Sequence, residues 1–190
     1  MPKLGMEPIR REALVKATIA EIGAAGSLDV TVSQIARRAG MSSALAHHYF
    51  GGKTEIFLAA MRRILTDFGA EVRQQLAAAP EGQRAAAIIR ASFAPSCFTP
   101  DVISAWMTFY VLAQTNPQAL RLWRIYQHRI RSNLAHALRG QIQHPEAAAA
   151  TLAALIDGLY IRAALHHPDT PERATDNALE MLALLTRGGT

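Results

Sequence analysis

Apolar positions along this chain recur at three- and four-residue spacing, the period of helices with one buried face, and no segment alternates with the period of a strand. The breaks fall at proline and glycine. Pro8, Pro80, Pro100, Pro117, Pro145 and Pro171 each stand ahead of a helical pattern, a position proline tolerates because the first helical N–H has no intrahelical acceptor to lose. Thr99, Asn116 and Thr170 precede three of these prolines as N-cap candidates. The pattern predicts an all-α fold of nine helices, over about 8–25, 32–39, 43–50, 53–77, 81–93, 101–114, 117–139, 145–166 and 171–187. An alanine-rich composition agrees, since alanine has the highest helix propensity. The first three helices are expected to form a small head over 1–52, and the remainder a larger helical domain over 53–190. Only the GGT terminus is expected to be disordered.

The stretch from Thr31 to Lys53 is the most specific. Thr31 and Gln34 have the T-x-x-Q spacing of a capping box. Val32, Ile35, Ala36 and Ala39 share one helical face, with Arg37 and Arg38 off it. Gly40 stands where a chain leaving a helix takes a positive φ, and Ser42 or Ser43 then caps a second short helix. Two such helices around a glycine turn outline a helix-turn-helix, whose second helix enters a DNA major groove. An ordinary helical hairpin has the same outline, and charge separates the two readings. Residues 1–63 hold nine basic and five acidic residues, whereas the remaining 127 hold eleven and ten. The positive excess travels with the motif, as phosphate binding requires.

In such a reader the first residues of the second helix reach base edges, which points to Ser43, Ala44 and Leu45, with Ser33 beside them. Leu14, Ile22, Ile35, Leu45 and Phe50 are expected to pack the head. His47 and His48 do not make a metal site, because adjacent helical residues point in different directions.

The larger domain concentrates rings. Trp106, Phe109 and Tyr110 share a face at i, i+3, i+4; Trp123 and Tyr126 repeat the i, i+3 spacing on the next helix; Tyr160 adds another ring. Ring faces attract a quaternary ammonium, and Asp157, embedded in an apolar stretch, would neutralise a cation there. Core packing produces the same stripes, and the residues alone leave both readings open. A buried carboxylate needs a partner in either case.

The pattern T-V-x-x-I-A-x-x-A-G-M-S-x-x-x-x-x-H-Y-F-x-x-K resembles the N-terminal domain of TetR-type transcriptional regulators. The segments MPKLGM, IRR, AWMTFY and LAALIDGLYIRAAL extend the resemblance along nearly the whole chain, toward the choline-responsive repressors of glycine betaine synthesis. The resemblance implies that Thr31, His47, Tyr49 and Lys53 contact the phosphate backbone, and that the last two helices dimerise. It also implies a palindromic operator as partner and choline as a small-molecule effector. A two-fold dimer suits half-sites about 34–36 Å apart, or a multiple. Gly51-Gly52 replaces the polar pair commoner at that turn.

Other classes find little support. No Ser-His-Asp, zinc or phosphate-loop signature points to an enzyme such as a hydrolase, and no cofactor is expected. The alternatives that remain are a TetR-like repressor responding to another small apolar or cationic ligand, and a DNA binder without an effector. One cysteine, Cys97, rules out an internal disulfide and suits a reducing compartment. The N-terminus lacks the apolar core of a signal peptide, and the longest apolar run, Ala147 to Ile156, is too short to span a bilayer. These features predict a soluble, cytoplasmic protein.

Overall fold

The computed structural model describes residues 5–27, 29–165 and 170–187. Among them the chain forms nine helices and no strand: α1 (Met6–Ala25), α2 (Val32–Arg38), α3 (Ser43–Phe50), α4 (Lys53–Ala78), α5 (Arg84–Ser92), α6 (Pro100–Thr115), α7 (Pro117–Leu138), α8 (Pro145–Leu165) and α9 (Pro171–Arg187). The GGT terminus, most of MPKLGM and the His166-His167 pair, expected at a solvated helix end, lie outside the described residues.

The boundaries follow local chemistry. Thr31 and Gln34 form the reciprocal capping box in full, so two orphan N–H groups at the start of α2 are satisfied. Asn116 accepts from both Gln118 and Ala119 at the start of α7, with Pro117 at the first helical position. Pro80 behaves differently. Gln83 N–H bonds back to the Pro80 carbonyl through a turn containing Gly82 at φ 83°, so α5 begins at Arg84 instead of about residue 81.

α1 packs against α2 within the head and also against α4 and α6. Leu14, Ile22 and Ile35 are fully buried, as expected of a head core, whereas Leu45 and Phe50 are only half-buried. Ala46, one residue on, takes the buried place in α3. The contact between α1 and the start of α6 is so close that a Cβ on Gly23 would lie 2.7 Å from the Asp101 Cα. α4 runs from the head into the larger domain, where it packs on α5, α6 and α7, while α8 lies against α6, α7 and α9.

α8 is longer than its purely apolar run suggests. At 21 residues it is long and apolar enough, by length and composition, to cross a membrane. One face of it is packed into the core. Leu152, Ala153, Ile156, Leu159 and Tyr160 are buried in the domain, and Asp157 is bonded by side chains of α6 and α7.

Candidate nucleic-acid interface and effector chamber

The start of α3 is built by a division of labour between two serines. Ser42 is the N-cap, its hydroxyl accepting from Leu45 N–H. Ser43 is therefore left at the first helical position, and its hydroxyl donates to the Ser33 hydroxyl of α2 at 2.9 Å. Ala44 is exposed and Leu45 half-buried beside them. Ser33, Ser43, Ala44 and Leu45 thus lie together at the N-terminal end of α3. At its other end His47 is exposed, its ring Nδ1 3.2 Å from the Gly51 carbonyl. Gly51 closes the helix at φ 82°, a backbone conformation that favours glycine. Tyr49 is half-buried and held from both sides: Arg10 donates to its hydroxyl and Arg11 to its carbonyl. Its ring and backbone are thereby part of the α1–α3 packing.

Charge at the head is less freely available than its count suggests. Arg38 pairs with Glu21, Arg11 with Glu7 while stacking on the Phe50 ring, and Lys16 with Glu12. Arg63 bridges Glu12 of α1 and Asp67 of α4. Arg37 and Lys53 are exposed, and neither makes an ion pair among the described residues. Lys53 Nζ rests 5.5 Å from the Phe57 ring centroid. Arg37 was absent from the sequence-derived contacts, although its position off the apolar face of α2 was the available signal.

Inside the larger domain, α1, α4, α6, α7, α8 and the segment after α5 enclose a small chamber. Five of the seven expected ligand residues line it: Trp106, Tyr110, Tyr126, Asp157 and Tyr160. The Trp106 ring lies 4.7 Å from that of Tyr126, 5.8 Å from Tyr110 and 6.3 Å from Tyr160. Phe109 and Trp123 do not line it, contrary to expectation. Phe109 lies about 100° around α6 from Tyr110; it is buried and meets the Trp106 ring edge-on, supporting the wall from behind. Trp123 sits one turn before Tyr126 and packs half-buried on the core outside the chamber. Spacing along a helix groups residues within about a turn but does not place the cavity.

Asp157 has its partners. Its Oδ1 accepts from the Tyr110 hydroxyl at 3.1 Å and the Tyr126 hydroxyl at 3.4 Å, and its Oδ2 from Gln127 at 2.5 Å. Burial raises its pKa above the ordinary carboxylate value, and the three hydrogen bonds, Gln127 foremost, oppose that rise. Burial also pushes up the tyrosines, with the neighbouring Asp157 charge adding to it at Tyr110 and Tyr126. All three phenols therefore remain neutral donors. Tyr160 donates to the Ser92 and Cys97 carbonyls, pinning the segment after α5 to α8. The lining holds two carboxylates, Asp157 and Asp67, and no lysine or arginine. Ile19 from α1 and Phe68 from α4 complete the wall, and neither carried a sequence signal, since only tertiary packing brings them there.

Comparison with known proteins agrees with both halves. The profile of bacterial regulatory proteins of the tetR family matches residues 14–60, and that of the BetI-type transcriptional repressor C-terminal domain matches residues 80–187. The HTH-type transcriptional regulator BetI of Brucella suis biovar 1 (strain 1330) is 49% identical over 183 residues, covering 94% of this chain and 91% of the relative. The BetI of Agrobacterium fabrum is 48% identical over 168 residues, 87% of this chain and 82% of that one. Among solved structures, a transcriptional regulator from Rhodococcus sp. Rha1 has a similar fold, with a TM-score of 0.82 at 23% identity over 94% of this chain and 97% of that chain. So does a regulator from Saccharomonospora viridis solved in complex with choline, with a TM-score of 0.80 at 22% identity over 91% and 95% of the two chains. A helix-turn-helix head, an all-α body and identity of this extent along both place the chain in the TetR family of transcriptional regulators, among its BetI-type repressors, and not among enzymes.

Proposed function

We propose that the protein is a cytoplasmic, homodimeric repressor of choline uptake and glycine betaine synthesis genes, whose hold on a palindromic operator is altered by choline in the ring-lined chamber. One observation carries the effector assignment: the chamber joins five aromatic rings to two carboxylates and has no basic residue in its lining. A quaternary ammonium has no N–H to donate, so ring faces and a carboxylate are what can hold it. The S. viridis regulator with choline bound supports the same ligand class.

The chamber is contracted. Its volume is about 50 Å³, against roughly 300–1,000 Å³ for small-molecule pockets. Choline therefore needs its walls to part, and two of those walls are Phe68 of α4 and Ile19 of α1. Moving them re-angles the helices that carry the head, so the ligand favours a conformation with a different separation of recognition helices. The size of the response is set by choline's difference in affinity for the two conformations.

At the DNA, Ser33, Ser43, Ala44 and Leu45 read base edges, while Thr31, His47, Tyr49, Lys53 and the exposed Arg37 hold the backbone. Calorimetric titration with choline tests the effector reading. Wild type should bind, Trp106→Leu should bind weakly while still shifting operator DNA, and betaine should bind less well because its carboxylate meets Asp157. Absence of choline binding to wild type at millimolar ligand would overturn it. Selection from random DNA with Ser43 or Leu45 replaced tests base reading; an unchanged preference removes that residue from the reading set.

A further inference from the structure

A second cavity lies on the opposite side of the chamber wall. Residues 62, 65, 66, 69, 72, 73 and 76 form one face of α4 at helical spacing, and residues 122, 125, 126, 129, 130 and 133 form the facing stripe of α7. The two faces do not close on each other. Between them runs an open groove of about 680 Å³, within the usual size of a ligand site. Its floor is apolar, with Leu65, Val72 and Leu76 from α4 and Leu122, Ile125 and Ile130 from α7. Ile125 is 41% exposed along it. Gly69 stands midway along α4, and a Cβ there would meet only the Arg73 guanidinium at 3.5 Å.

Three arginines, Arg62, Arg73 and Arg129, border the groove, and no carboxylate lines it. None of the three makes an ion pair among the described residues. This is the reverse of the inner chamber, which has carboxylates and no basic group. Phe68 and Tyr126 line both cavities, their rings meeting edge-on at 6.0 Å, and separate the two.

We propose that the α4–α7 groove is a second ligand site, taking a soluble single-chain amphipathic carboxylate with its alkyl chain on the apolar floor and its head group between Arg73 and Arg129. Guanidinium groups pair with carboxylates through paired N–H donors, and the floor offers a chain the burial that a small anion cannot use. Such a ligand presses on the Phe68–Tyr126 wall from outside, whereas the effector presses from within, so the two ligands are coupled through one pair of rings. The site is distinct from the choline chamber and does not depend on that assignment.

The experiment is calorimetric titration of the full-length protein with decanoate, and with decanol as a neutral chain of equal length. Decanoate should bind, with decanol and the Arg73→Gln/Arg129→Gln variant each weaker by at least about tenfold. Gly69→Leu, which fills the groove with a better helix former, should abolish binding of both, while thermal melts of all variants remain cooperative. Decanol binding as tightly as decanoate, the double variant within about twofold of wild type, or Gly69→Leu binding normally would each overturn the proposal. Choline titrated into the same variants keeps the two readings apart. Failure of wild type to bind choline while decanoate follows this pattern removes the choline assignment and leaves the groove standing.

Discussion

Gly23 offers a sharp test of how tightly the head is seated on the body. A methyl group added there points at the first turn of α6, where the Asp101 Cα would lie 2.7 Å away. Carbon atoms settle at about 3.5–4.0 Å, so α1 and α6 must part by about 1 Å. A backbone atom cannot step aside as a side-chain tip can. Overpacking of this kind costs about 1–3 kcal/mol. Against it stands the better helix propensity of alanine, worth at most about 1 kcal/mol. Gly23→Ala should therefore destabilise the protein by up to about 2 kcal/mol, which for a chain of this size lowers Tm by up to about 8 °C. Gly69→Ala is the matched control. It lies inside α4 with only the Arg73 guanidinium at 3.5 Å, so the propensity gain stands nearly alone and Tm should rise by about 2–4 °C. Thermal unfolding followed by circular dichroism measures both. A Gly23→Ala protein that melts at or above wild type would refute the close seating of α1 on α6.

Burial raises the Asp157 pKa above its ordinary value, and choline bound beside it as proposed would favour the ionised form. Choline affinity should accordingly fall as pH drops through that raised pKa, and Asp157→Asn should bind weakly with little pH dependence; a wild-type affinity flat from pH 7 to about 4 would exclude Asp157 from the site. Arg37→Ala and Lys53→Ala should each weaken binding to all DNA sequences and reduce the salt slope by about one unit, and an unchanged slope in a mobility-shift titration would free that residue from phosphate contact. Ile161, Leu165 and Leu184 are 43%, 73% and 60% exposed on α8 and α9. Leu184→Glu should shift the protein toward monomer in sedimentation, whereas Leu159, buried at 4%, would report on core stability; intact dimers for Leu184→Glu and Ile161→Glu would place the interface elsewhere.

Features decided by a few neighbouring residues were the most legible in the sequence. The Thr31–Gln34 box, the prolines opening α6 to α9 and the positive φ of Gly40, 68° here, are local chemistry. Only the start of α5 escaped, because a turn after Pro80 satisfies the backbone before the helix begins. The chamber was only half legible. Trp106, Tyr110, Tyr126, Asp157 and Tyr160 announced themselves by type and spacing, but Ile19 and Phe68 are ordinary apolar residues whose place depends on how distant helices pack. Phe109 and Trp123 show the converse, since ring chemistry and helical period were both suitable and the packing turned them elsewhere. Net charge marks the DNA-binding half but not the free side chains: of the six arginines in residues 1–63, Arg11, Arg38 and Arg63 are held by carboxylates one turn away or on α1.

Ile19 belongs to the head and still closes the chamber of the body, which limits how this protein can be taken apart or recombined. The body produced without residues 1–52 would present its chamber to solvent through a missing wall, and its ligand preferences would not be those of the whole. Exchanging heads among regulators to redirect them to new operators would replace that wall as well, altering what is sensed along with what is read. On the proposed reading, specificity for DNA and for ligand are inherited together through α1, and a chimera that keeps both must carry a matched residue at position 19.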